Sequence, residues 1–369
     1  MDLLSSNYII DGVQMPITPG RMLRECMSEP PLEPEGDPEE TLADESPDPA
    51  PDKHGYDEKK ALLYAQKVEA LPKRSLPLAF AGPYTAGKVA QALIDAIWCS
   101  GHFRLGDLSL KADWKWNGKG IGLPAGFYRS VEAACDYIDA LGVKIAKYSV
   151  TGGEPAVSFK AATAAEADED IPEELTLMRE DLPYKARISR RRKVSATIQA
   201  DASDWLLYIP FDPCDFRLGG SALAQALQTS PSTAPDIQDA DYFMDCFEVV
   251  RELVEDGVVK AGATVGEGGL LCALRAMAAG TGADICIQDI SKAYGGEKPV
   301  RVLFGEVPGV IIQIADIDYD YVDAELILED VVYFPIGHPT PGKNGIRLTG
   351  KVEIPQILES LLNTLEGED

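Results

Sequence analysis

Apolar residues recur at helical spacing in several stretches of the chain. In PAGFYRSVEAACDYIDAL (124–141), Phe127, Val131, Ala134, Cys135, Ile138 and Leu141 fall on one face, and Gly142 closes the segment. The same reading predicts a helix over 57–70 and a strongly apolar one over 85–100, with Thr85 as its N-cap. Alternation in DLSLKADWK (107–115) predicts a half-buried strand, and VKIAKYSV predicts another that runs into the turn and strand of TGGEPAVSF. The second half alternates more regularly. It offers strands at WLLYIPF, ADICIQDI, GVIIQIADI and VVYFPIG. Helices are predicted over 240–255, over 268–279, near 320–328 and over 353–366. Strands alternating with helices predict an α/β or α+β fold.

The pattern breaks at residues 28–56, SEPPLEPEGDPEETLADESPDPAPDKHGY, which are rich in proline and acid and poor in apolar groups. Such a run buries too little surface to offset its ordering entropy, so it reads as an extended linker. The chain then divides into a short N-terminal segment (1–27), the linker (28–56), and two α/β domains, 57–195 and 196–369. Residues 162–183 are acidic and loop-like, and RISRRRKVSATIQA (187–200) is the basic cluster. It reads as an ordinary charged strand flank, with a contact to the acidic linker as the alternative.

Charge narrows the partners. Sixty acidic residues against 34 basic ones leave a formal net charge of −26. That field repels phosphate backbones and anionic lipids, so neither nucleic acid nor a membrane surface is an expected partner. The seven cysteines are scattered, without a CxxC pair. They read as reduced thiols in a reducing, cytoplasmic compartment. The histidines, His54, His102 and His338, have no partner at metal-ligand spacing, so no zinc site is expected.

One stretch looks made for a ligand. GATVGEGGLLCALRAMA (262–278) sets Gly262, Gly266, Gly268 and Gly269 ahead of an apolar helix, with Glu267 as its only acidic group. Glycine permits close backbone approach, and a helix N-terminus attracts anions.

Taken in order, DLSLKADWKW, LPAGFYRSVEAACDYIDALGV, SVTGGEPAVSF, FRLGGSALAQAL, GATVGEGGLLCALRAMA and VLFGEVPGVIIQI resemble the second half of phosphoribosylformylglycinamidine synthase, over roughly 75–340. The resemblance implies an aminoimidazole ribonucleotide synthetase-like, two-domain half-molecule whose N-terminal domain gives strands to a shared barrel. It implies phosphoryl transfer from ATP to an amide oxygen, with carboxylates and amides holding magnesium on the phosphates.

The implied site is altered at each position. Where the family has glutamate and, four residues on, asparagine, this chain has Gln91 and Asp95. Where it has Gly-Gly-Lys-Asp-Ser, this chain has Gly152, Gly153, Glu154, Pro155 and Ala156. The family's histidine and magnesium-binding aspartate fall at Ala263 and Thr264, although Glu267, Gly268 and Gly269 follow. Gly219, Gly220, Gly268, Gly269, Phe304 and Glu306 read as retained scaffold.

Two functions follow. In the first, the chain is a pseudoenzyme, a structural or interaction subunit with no cofactor. In the second, it is a component that binds Mg-ATP and acts with a second chain. A lone half-barrel would leave an apolar face over residues 105–116 and 143–160, to be covered by a second copy or another protein. Trp114 and Trp116 share one side of that strand, and a helix of their own domain is the other candidate to cover them.

Overall fold

The computed structural model describes residues 3–27, 58–71, 76–163 and 187–349. The linker, nearly all of the acidic stretch over 162–183 and the helix expected over 353–366 lie outside the described residues.

The chain opens with a small hairpin, β1 (Ile9–Ile10) and β2 (Val13–Gln14), and a short helix, α1 (Pro19–Glu25). Helices α2 (Glu58–Glu69) and α3 (Ala81–Ile97) follow, then β3 (Cys99–His102), β4 (Leu108–Lys115), α4 (Leu123–Ala140), β5 (Lys144–Thr151), β6 (Ala156–Thr163) and β7 (Arg187–Arg192). The second domain contains β8 (Trp205–Pro210), α5 (Ala222–Leu227), α6 (Ala240–Glu255), β9 (Val259–Val265), α7 (Gly269–Met277) and β10 (Gly282–Ile285). It continues with α8 (Gln288–Ala293), α9 (Pro299–Phe304), β11 (Gly309–Ile314), α10 (Tyr319–Leu328), β12 (Phe334–Thr340) and β13 (Ile346–Leu348).

The first domain has a three-stranded sheet in the order β5-β4-β6 and a two-stranded pair, β3-β7. The basic cluster thus begins as strand β7. In β4 the alternation holds as read, with Leu108, Leu110, Ala112 and Trp114 buried and Lys111, Asp113 and Lys115 exposed. The second domain has a six-stranded sheet, β13-β10-β12-β8-β11-β9. Its strands WLLYIP and GVIIQI are covered on both faces and almost wholly apolar, the exception being Gln313, whose amide is buried and bonded to Gln199 and Asp204. Leu207, Ile209, Val310 and Ile312 belong to a core shared with α3, α4 and α6. Leu206, Tyr208 and Ile311 face a second core with α7 and α9.

Several boundaries differ from the sequence reading. Helix α3 begins at Ala81, so Thr85 is interior and not the N-cap. Pro83 fits there because a first-turn N–H has no helical partner to lose. The Thr85 hydroxyl is buried between the Ala81 carbonyl (2.6 Å) and the Ser130 hydroxyl (2.7 Å). The stretch ADICIQDI gives a strand only to Ile285, and its end enters α8.

Helix α2 was assigned to the first domain, yet it packs on the second. Ala61 and Ala65 enter the α7–α9 core, and Glu69 receives Arg275 of α7 at 2.6 and 3.1 Å. A short amphipathic helix is placed by whichever apolar surface accepts its stripe, not by its position in the sequence.

The face expected to lie open and apolar is not apolar. Trp114 and Trp116 are buried beneath α4 of their own domain, where their indole N–H groups donate to the Ser130 hydroxyl (3.1 Å) and the Leu123 carbonyl (2.7 Å). The opposite side of the sheet is polar.

Candidate functional site

Helix α3 carries Tyr84, Lys88, Gln91 and Asp95 along the side that meets the second domain, one turn apart as a 3.6-residue period requires. The turn between β9 and α7 faces them. Together with Gly219, Gly220 and Glu306, the side chains of Tyr84, Lys88 and Gln91 line a cleft between the domains.

Of the sequence-predicted groups, Gln91 lines this cleft, while Asp95, Thr264 and Glu267 lie beside it and are bonded inside the protein. Asp95 Oδ1 accepts the Thr264 hydroxyl at 2.5 Å, and Thr264 Oγ1 accepts Trp98 Nε1 at 2.9 Å. Desolvation by the surrounding protein pushes the Asp95 pKa up, although the side chain keeps some exposed surface. The Thr264 hydrogen bond and the Arg192 and Lys88 charges oppose that rise. Glu267 Oε1 accepts Lys88 Nζ at 2.5 Å and the Tyr84 hydroxyl at 3.1 Å. Lys88 also reaches Gln91 Oε1 at 3.4 Å.

The glycines are explained by the backbone path. A Cβ on Gly262 would lie 2.3 Å from the Trp98 ring, and one on Gly266 would lie 2.7 Å from the Gln91 amide carbon. Gly268 and Gly269 have φ of +80° and +69°, a region that L side chains rarely enter. A Cβ on Gly269 would also lie 2.7 Å from the Leu303 carbonyl oxygen and the Phe304 Cα.

The N-terminus of α7 is filled as well. Glu306 Oε1 accepts the Gly268 N–H at 2.8 Å and the Ala222 N–H, at the start of α5, at 2.9 Å. One carboxylate therefore takes the position that an incoming anion would occupy at the positive end of α7.

Gly152, Gly153 and Glu154 are elsewhere, in the β5–β6 turn. There the Gly153 N–H donates to Asn117 Oδ1 at 3.1 Å, and none of the three lines the cleft.

Magnesium takes near-octahedral oxygen ligands, typically one or two carboxylates with substrate phosphates and water. The residues here do not fit that demand. Asp95 accepts the Thr264 hydroxyl and Glu267 accepts Lys88, so a metal here would have to share the first carboxylate with a hydroxyl and displace a cation from the second.

Sequence reasoning missed Tyr84, Lys88, Trp98 and Arg192. The available signal was spacing: Lys88, Gln91 and Asp95 lie at i, i+3 and i+7. Arg192 lies over the Trp98 ring, 5.3 Å from its centroid, and donates to the Gly262 carbonyl. Nothing in the local sequence links it to residue 262.

Known proteins add a family context. Residues 204–346 match the family described as AIR synthase related protein, C-terminal domain. A probable phosphoribosylformylglycinamidine synthase of Arabidopsis thaliana is 26% identical over 256 residues, covering 68% of this chain and 17% of that protein. The Drosophila melanogaster phosphoribosylformylglycinamidine synthase is 27% identical, covering 63% of this chain and 17% of its own length. The chain thus spans about a sixth of the length of these curated relatives. Among solved structures, T. maritima PurL complexed with FGAR superposes with a TM-score of 0.55 at 14% identity, covering 75% of this chain and 42% of that one. That likeness shows the fold. No described helix is long and apolar enough to cross a membrane. The matched domain, the relatives and the superposition together show a chain similar to phosphoribosylformylglycinamidine synthases and built on the AIR synthase fold.

Proposed function

We propose that the chain is a structural or interaction subunit built on the synthase scaffold, with its nucleotide site converted into internal contacts. The observation that supports this most is Asp95, tied to Thr264 where the resemblance implies magnesium-binding groups; Glu306 bridges the N-termini of α5 and α7, but as retained scaffold it does not separate this chain from its relatives. A phosphate at the same end of α7 would lose both N–H donors and meet a negative charge. The pairing of Asp95 with Thr264 and of Glu267 with Lys88 acts in the same sense, since each removes a carboxylate from metal binding.

The test is calorimetry with Mg-ATP on the purified full chain. The expected result is no binding at a Kd of about 10 µM or tighter, roughly −7 kcal/mol. Binding at that level would overturn the reading. It would favour the second one, a component of an ATP-dependent phosphoribosylformylglycinamidine synthase that acts with a second chain. The open cleft beside Lys88 and Tyr84 is what keeps that alternative in view.

A further inference from the structure

Helix α10 is apolar on two opposite sides. Val322 and Leu326 enter the core beneath it. Ile317, in the helical turn Asp316–Asp318 that leads into α10, lies on the other side with Tyr321, Ala324 and Leu328, all exposed. At about 100° per residue these four fall within roughly 60° of one another, half a turn away from Val322 and Leu326. Ile317 is 89% exposed and Leu328 74%, so the stripe is open to water along its whole length. A surface helix normally keeps one apolar side, turned inward. Single exposed apolar residues are ordinary, but a continuous stripe about 16 Å long marks an interaction site.

Charge selects the occupant. No lysine or arginine occurs between Arg301 and Lys343. Asp320 borders the stripe on one flank and Glu325 on the other. The Tyr321 hydroxyl donates to Asp256, just past the end of α6, at 3.0 Å, which brings a further carboxylate to the rim.

We infer that this stripe docks an amphipathic helix of another protein whose apolar face is flanked by lysine or arginine. The two apolar faces would leave water together, and the rim carboxylates would meet cations. A net charge of −26 favours the approach of such a partner and repels acidic ones, nucleic acid included. A two-fold pair of copies through α10 would set this acidic rim against itself, so a second copy is disfavoured. The residues after 349 hold a run of leucines, yet Glu353, Glu359, Glu366, Glu368 and Asp369 stand there against Lys351 alone. The same repulsion opposes their docking on α10. The inference rests on the interaction-subunit reading for the purpose of the surface, and on α10 alone for its place.

The experiment measures fluorescence anisotropy of a labelled leucine–lysine peptide with the full-length protein. In one peptide the leucines share a helical face; in a second, of the same composition, they are scattered. The patterned peptide should bind about tenfold or more tighter, since only it can bury a continuous apolar face. The double variant Ile317→Ser, Leu328→Ser should erase that preference, and both side chains are exposed enough for the fold to be kept. If that variant does not fold, Asp320→Asn with Glu325→Gln takes its place, with weaker binding of the patterned peptide expected. Equal binding of the two peptides by the wild type, or an undiminished preference in the folded double variant, would overturn the inference. So would a concentration-dependent dimer that the double variant abolishes, which would assign the stripe to a second copy. Binding of the patterned peptide that appears only in Leu361→Ser would also overturn it, in favour of this chain's own C-terminal residues. Mg-ATP binding with the peptide preference intact would instead count against the proposed function alone.

Discussion

The two glycine turns of this protein look alike in sequence and differ in what holds them. In the turn into α7, Gly268 and Gly269 have positive φ, and a Cβ on Gly269 would strike backbone atoms of residues 303 and 304. In the β5–β6 turn, neither Gly152 nor Gly153 has a positive φ, and the nearest atoms to an added Cβ are 3.9 and 3.7 Å away. The first turn requires glycine and the second does not. A glycine-rich turn is therefore no sign of a ligand until the steric demand of the fold has been subtracted.

Breaking the first turn should have the largest effect. Gly269→Ala combines a left-handed backbone with contacts to backbone that cannot yield, and should cost about 3 kcal/mol. Urea denaturation measures it, and a loss below about 1 kcal/mol would mean that the turn rearranges freely. Glu306→Ala comes next. It strands the Gly268 and Ala222 N–H groups, and about 2 kcal/mol should be lost, since each unsatisfied donor costs about 1–3 kcal/mol when water is excluded. An unchanged midpoint would show that water replaces the carboxylate.

A smaller effect is expected at Asp95, read through pH. Its folded pKa is raised above the ordinary aspartate value, so the native state holds this proton more firmly than the unfolded chain. Its contribution is present below the unfolded pKa and is lost as pH rises through the folded pKa. Asp95→Asn should therefore flatten the fall in stability just above the usual carboxylate range. Parallel stability–pH curves for the two proteins would refute the assignment. The smallest effect belongs to the second turn: Gly153→Ala should change stability by no more than about 0.5 kcal/mol, the range of surface substitutions. A loss comparable to that of Gly269→Ala would erase the distinction between the turns.

Much of the fold was legible in the chain itself. Alternation in β4 and the single apolar face of α4 report a local geometry, because side-chain direction is fixed by the backbone period. The altered chemistry at Gln91, Glu154 and Thr264 was legible too, since a residue's charge does not depend on its surroundings. The partners were not. Thr264 and Asp95 are 169 residues apart, Lys88 and Glu267 are 179 apart, and Glu306 reaches back 84 residues to Ala222. The first two pairs exist because the two domains close on one another, and the third because the second domain folds back on itself; no local pattern encodes either approach. The sequence alone determined the alternation of β4, the single apolar face of α4 and the residue types at 91, 154 and 264. Only the tertiary structure decided that α2 packs on the second domain, that Trp114 and Trp116 lie beneath α4, and that the N-terminus of α7 is filled by Glu306. Those outcomes depend on which apolar surfaces and unsatisfied N–H groups meet in space, and burial makes each of them costly to leave unpaired.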